Sequence, residues 1–233
     1  MALTECENLS LGYEGHTVVE GINFSVCEGD YLCIVGENGS GKSTLMKTLL
    51  GIEKPISGRV AFGGGLKKNE IGYLPQRTAQ DFDFPASVYE VVMSGCINKS
   101  GFFRSASKRA AVEKNLERMG ISDISGRCYR ELSGGQMQRT LLARALCAAD
   151  RVVLLDEPVA GLDPVATNEM YETVRSLSKE GITVIMVTHD ALPVLNDANT
   201  VLHLAGNQLF FGSKEDYLFS DAGRLFAGQS GGR

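Results

Sequence analysis

The chain has 233 residues, 43% of them hydrophobic and 22% charged, with a formal net charge of -5. This length suits one large domain or a core with an inserted subdomain, excludes a small disulfide scaffold, and the acidic balance argues against a nucleic-acid surface as its main business. No apolar run approaches the ~20 residues needed to cross a bilayer, and the first residues lack the basic and apolar regions of a signal peptide, so a cytoplasmic protein is expected.

In chain order, the stretch up to about Gln76 reads as short strands, residues 17–24, 31–35, 58–62 and 70–74, around one helix over 43–50 that Gly51 closes. From 77 to 149 the pattern turns helical, notably over 106–119 and 134–148, which predicts a helical insertion. Strand signals return over 151–156 and 182–187, separated by a helix over 165–178. Near-continuous apolar strands alternating with helices indicate a parallel sheet covered on both faces. A hairpin over 200–205 and 208–212 turns at Gly206 and Asn207, and a single helix over 214–226 precedes a Gly/Ser tail. The six cysteines show no C-x-x-C spacing, so reduced thiols rather than a metal knuckle are expected.

Three motifs carry chemistry. Gly36-Glu37-Asn38-Gly39-Ser40-Gly41-Lys42-Ser43-Thr44 fits G-x-x-x-x-G-K-[ST], whose glycines turn backbone N–H groups inward, while Lys42 reaches the outer phosphates of a nucleotide and Ser43 offers its hydroxyl to magnesium. Strand, loop and helix follow in the order that delivers phosphates to a helix N-terminus, where unpaired N–H groups and the macrodipole favour anions. The strand over 151–156 ends in Asp156 and Glu157 at the carboxyl edge, where ligands bind in open α/β sheets. Asp156 suits magnesium, and Glu157 suits a general base toward attacking water; a solvated strand end is the bland alternative. Leu132-Ser133-Gly134-Gly135-Gln136 places Ser133 as an N-cap before the third helix, with two glycines that let another phosphate approach the helix's positive end.

With Gln76 after the strand 70–74, Gly161-Leu162-Asp163 and His189, these motifs make the chain resemble the nucleotide-binding subunit of an ABC transporter over nearly its whole length. The five-residue signature at Leu132 is the most specific element. The resemblance implies an α/β fold: a phosphate-loop NTPase (RecA-like) core with an antiparallel β subdomain and an inserted α-helical subdomain. As a single domain over 1–233, the core and β subdomain would take 1–76 and 150–212, the helical subdomain 77–149, and a C-terminal helix and tail 213–233.

The resemblance also implies ATP and Mg2+ as cofactors. The loop from Gly36 to Thr44 would bind ATP, with Ser43, Asp156 and Gln76 on the metal, Gln76 also sensing the attacking water, His189 contacting the γ-phosphate, and Tyr13 stacked on adenine. The active unit would be a head-to-tail homodimer in which Ser133, Gly134, Gly135 and Gln136 of one subunit complete the site of the other, and Asp163 crosses the interface. Ala160-Gly161 departs from the family's usual lead before Leu-Asp. Each motif has a plainer reading alone: Tyr13 as core or surface, His189 as a satisfied strand end, Gln76 as a polar loop residue, Asp163 as a cap ahead of Pro164. Partners would be an integral membrane permease and, indirectly, an extracytoplasmic solute-binding protein, with no nucleic acid, at the cytoplasmic face of the membrane.

The run from Leu74 through Asp81-Phe82-Asp83-Phe84 to Val92 is similar to ATPases of zinc, manganese and iron importers, and no His-rich extension follows Phe226. Phe82, Phe84, Phe102 and Phe103 suit either the core of the helical region or a cleft that receives a permease helix. The rival classes are a soluble ABC ATPase acting on nucleic acid or ribosomes, an ABC ATPase serving a non-metal substrate, and a nucleotide-dependent interaction module without turnover, against which Glu157 speaks.

Overall fold

The computed structural model describes residues 1–13, 16–67, 70–76, 85–97, 105–149, 151–189 and 191–230. It forms two compact units, Met1–Lys68 with Gly181–Arg233, and Asn69–Glu180.

In the first unit β1 (Ala2–Tyr13), β2 (His16–Cys27) and β4 (Ser57–Phe62) form an antiparallel sheet with β1 in the middle. Leu3, Cys6, Leu9 and Leu11 of β1 are buried with Val19, Ile22, Phe24 and Val26 of β2, so one face of this sheet supplies core. β1 is not legible as a strand in the sequence. Its alternation breaks where the register with β2 shifts between Cys6 and Leu9, around Asn8 with its positive φ of 45°, and a period-2 signal does not survive such a bulge.

β3 (Tyr31–Val35) is buried at every residue and pairs in parallel with β7 (Thr183–Val187) on one side and β8 (Thr200–Leu204) on the other. β9 (Gln208–Ser213) returns antiparallel to β8 through the expected turn. α1 (Lys42–Leu49) follows β3, and α6 (Ala191–Leu195) follows β7. The C-terminal region is a correction: it forms two helices, α7 (Lys214–Phe219) and α8 (Asp221–Ser230), instead of one over 214–226. Ser220 breaks the run with extended backbone (φ -72°, ψ 157°), its hydroxyl donating to the Tyr217 carbonyl and accepting from the Gly223 N–H. Serine competes for its own backbone in this way, and apolar spacing alone does not reveal it.

In the second unit β5 (Ile71–Leu74) and β6 (Val152–Asp156) pair in parallel from Ile71 opposite Val152 to Leu74 opposite Leu155. Around them lie α2 (Val88–Ser94), α3 (Ser105–Arg118), α4 (Gly134–Ala148) and α5 (Pro164–Lys179). α4 is the hub, packed against α2, α3, α5 and β5. The seven-residue α2 is too short for periodicity to reveal, but its start is legible as a capping box, with Ser87 accepting from the Glu90 N–H and Glu90 bonded back to Ser87. Phe82, Phe84, Phe102 and Phe103 lie outside the described residues. Among the described residues no helix is long and apolar enough to cross a membrane.

Candidate functional site

In the first unit β3 ends at Val35 and the chain turns through Gly36 to Gly41 into α1. Gly36 has a φ of 152°, and a side chain there would begin 2.2 Å from the Leu204 carbonyl oxygen. Gly41 caps α1 at a φ of 97°, where a Cβ would stand 2.7 Å from a Val19 methyl. Both positions require glycine. Because Gly41 brings no side chain to the cap, no side-chain hydrogen bond closes the N-terminus of α1.

Lys42 is 5% exposed, and its ammonium donates to the carbonyls of Gly36 and Glu37, each at 2.7 Å. The cation is thereby folded into its own loop, an arrangement that favours an incoming anion. Ser40 Oγ is buried in the same loop with no hydrogen-bond partner among the described residues, a cost that a ligand's oxygens would remove. Glu37, Asn38, Gly39 and Ser43 are exposed, while Thr44 is buried and donates its hydroxyl to the phenol oxygen of Tyr13 at 3.0 Å. Lys47 Nζ lies 5.4 Å from the Tyr13 ring centroid. His189 is exposed just beyond β7.

In the second unit the ends of β5 and β6 gather the acids. Asp156 is 6% exposed. The Tyr73 hydroxyl donates to its Oδ2 at 3.5 Å, and burial, with the Asp156 charge adding, pushes the Tyr73 phenol up to about 12. Glu157 has left-handed backbone, φ 46°, and its Oε2 accepts from Gln76 Nε2 at 3.1 Å. Gln76 and Glu157 are thus brought together within one unit.

The signature forms the first turn of α4. Ser133 caps it in a reciprocal box with Gln136: the Ser133 hydroxyl accepts from the Gln136 N–H at 3.3 Å and Gln136 Oε1 accepts from the Ser133 N–H at 3.1 Å. Ser133 is exposed and Gly134 and Gly135 are partly so, and a Cβ on Gly135 would come within 3.0 Å of the Ala166 methyl. Asp163 caps α5, its Oδ1 accepting from the N–H groups of Val165 and Ala166, both at 2.9 Å. The capping role that sequence alone allows for Asp163 is therefore present, and its exposed position leaves room for a second one. Tyr73 and Lys47 contact site residues without any signal of their own in the sequence. Lys47 stands three residues beyond Thr44 on one helix face, and Tyr73 three before Gln76 on a strand, spacings that carry meaning only once the partner positions are known.

These residues suit a nucleotide triphosphate and magnesium. In the first unit the glycine positions shape a cradle that a Cβ would fill, with the buried Ser40 hydroxyl inside it; in the second unit, taken by itself, the Asp156 carboxylate and the Gln76 amide oxygen are hard oxygen donors of the kind magnesium takes.

The ABC transporter family profile matches residues 19–160. The chain is 40% identical over 192 residues to the chelated iron transport system membrane protein YfeB of Yersinia pestis, covering 79% of this chain and 65% of that protein's length. It is 35% identical over 224 residues to the zinc uptake system ATP-binding protein ZurA of Listeria innocua, covering 92% of this chain and 87% of that one. To the manganese transport system ATP-binding protein MntB of Bacillus subtilis it is 36% identical over 218 residues, with 91% and 87% covered. Among solved structures, cbiO1 from Clostridium perfringens, part of the ABC transporter complex cbiONQ, superposes with a TM-score of 0.81 at 32% identity, covering 96% of this chain and 93% of that one.

Proposed function

The chain belongs to the ABC transporter family, and we propose that it is the ATP-hydrolysing subunit that powers import of a divalent metal ion, zinc, manganese or iron, through a membrane permease. The observation that carries the cargo is the agreement of three relatives, each matched over about four-fifths or more of this chain and each named for one of those metals.

In this reading the loop from Gly36 to Thr44 holds the phosphates of ATP. Gly36, Asn38, Gly39, Ser40 and Gly41 present backbone and hydroxyl groups, and Lys42 releases its loop carbonyls for the outer phosphates. Tyr13 carries the adenine. Magnesium, when bound, supplies positive charge against the phosphate oxygens, held by Ser43, Asp156 and Gln76. Glu157 takes the proton of the attacking water, oriented by the Gln76 amide that already bonds its carboxylate. His189 contacts the γ-phosphate. Ser133, Gly134, Gly135 and Gln136 of a second copy complete the site from the opposite side, and Asp163 lies along that interface. A homodimer of this kind would sit peripherally at the cytoplasmic face of the membrane beneath its permease. An extracytoplasmic solute-binding protein would select the ion.

Uptake tests this directly. Cells lacking the gene for this chain should lose ATP-dependent accumulation of radioactive zinc, manganese or iron, and regain it with the wild-type gene but not with Lys42→Ala. Unchanged accumulation of all three metals in the deleted strain would overturn the metal reading while leaving the ATPase reading intact.

A further inference from the structure

The helix that follows the phosphate loop also contacts the ring of Tyr13. Thr44 and Lys47 sit three residues apart on the same face of α1, the helix whose N-terminus is the phosphate loop. Thr44 Oγ1 donates to the Tyr13 phenol oxygen at 3.0 Å from a buried position. The Lys47 ammonium stands 5.4 Å from the centroid of the same ring. Tyr13 itself closes β1 and keeps 39% of its surface exposed. A surface tyrosine at a strand end is ordinarily free to change rotamer; here one atom of its edge is tied to the helix and one of its faces lies under a cation.

We propose that Thr44 and Lys47 are positioning residues for the nucleobase: Thr44 fixes the height and tilt of the Tyr13 ring through its hydroxyl, and Lys47 occupies one ring face so that the base stacks on the other. This rests on the reading of Tyr13 as the base platform. Because both residues ride on α1, the platform stands at a set distance from the loop that grips the phosphates, and a nucleotide meets base and phosphate contacts already in register. A ring ordered before binding costs less to immobilise on binding. The cation also draws on the electron density of the ring, and an ammonium on that face occupies the place where a base would otherwise stack.

The consequence is specific to the base. Inorganic tripolyphosphate offers the phosphates without a base, so changes that act through the platform weaken ATP and spare tripolyphosphate, whereas changes that disturb the loop or its field weaken both. Binding of each probe is measured by calorimetry on the whole chain with magnesium, for wild type, Tyr13→Phe, Lys47→Met, Lys47→Arg and Tyr13→Ala. Tyr13→Phe removes only the oxygen that Thr44 bonds and should weaken ATP by about two- to tenfold, the range for one lost hydrogen bond. Lys47→Met should weaken ATP by about two- to fivefold, and Lys47→Arg should restore it. Tripolyphosphate affinity should stay at the wild-type value in all four variants. Wild-type ATP affinity in Tyr13→Phe overturns the Thr44 role; wild-type ATP affinity in Lys47→Met, or an equal loss for tripolyphosphate, overturns the Lys47 role. Tyr13→Ala separates the premise from the proposal. It should weaken ATP by about fivefold or more, the scale of a base stacked on an aromatic ring, and if it does not, the platform reading itself fails.

Discussion

Gln76 and Glu157 meet beyond the ends of two parallel strands, the side-chain amide of one donating to the carboxylate of the other at 3.1 Å. The register explains the meeting. Leu74 stands opposite Leu155, so Gln76 and Glu157, each two residues beyond that pair, face one another. Glu157 also holds a φ of 46°, a conformation that costs a non-glycine residue on the order of 1 kcal/mol and persists only where the surroundings impose it. Strain of this kind gathers at working groups, and here it aims a carboxylate toward an amide that shares its proposed task.

Replacing Glu157 with Gln keeps the size and the contact with Gln76 but removes the base. ATP binding should be retained while turnover falls by about a hundredfold or more. Steady-state phosphate release beside equilibrium nucleotide binding decides this, and wild-type turnover in the variant would end the assignment of Glu157 as base.

Lys42→Ala should act on the other term. Its ammonium rests on two loop carbonyls at 2.7 Å and would exchange them for phosphate oxygens, so the variant loses a charge-assisted contact of about 1.5 to 3 kcal/mol, or roughly ten- to a hundredfold in ATP affinity. Equal affinity by equilibrium binding would contradict this placement.

Much of this site was legible because its signals are local. Glycines at fixed spacing before Lys42, an apolar run ending in Asp156-Glu157, and Ser133 three residues before Gln136 each announce a strand end, a loop or a helix start, and α4 begins and ends where its periodicity does. What escaped was set by irregular backbone and side-chain bonding that apolar spacing does not carry, or by packing between distant segments. β1 hides behind its bulge, Ser220 divides the last helix through its own hydroxyl, and the Tyr13–Thr44 and Tyr73–Asp156 bonds join residues 31 and 83 positions apart. No spacing rule in one sequence predicts such pairs.

Assembly gives a third prediction. With hydrolysis stopped, the Glu157→Gln protein should dimerise when ATP is added, and Ser133→Arg in that background should abolish dimerisation. The arginine also removes the cap of α4, worth about 1 kcal/mol, so lost dimerisation alone would not separate contact from folding. Ser133→Asp does, since aspartate caps as well as serine but sets a negative charge against the partner's triphosphate. Sedimentation with and without ATP should show monomer for both double variants, and an ATP-induced dimer of the aspartate variant would remove the trans-site assignment.

The fourth prediction concerns pH and uses a residue outside the proposed chemistry. His203 is 6% exposed in β8, its Nδ1 3.1 Å from the Tyr217 hydroxyl and its ring edge-on to Tyr217 and Phe226. Burial lowers its pKa below the ordinary 6.5, with Glu37 opposing and Lys42 adding to the shift. A lowered folded value means that the unfolded chain binds the proton first as pH falls. The stabilisation from neutral His203 is therefore complete above about pH 6.5 and is lost as pH drops through the folded value. His203→Gln keeps a polar partner for Tyr217 and cannot titrate. Melting temperatures from pH 7.5 down to 5.5 should decline more steeply for wild type than for His203→Gln, on top of a pH-independent offset from the lost ring contacts with Tyr217 and Phe226. Parallel curves would show that this buried ring contributes nothing to the acid sensitivity of the C-terminal helices' anchor.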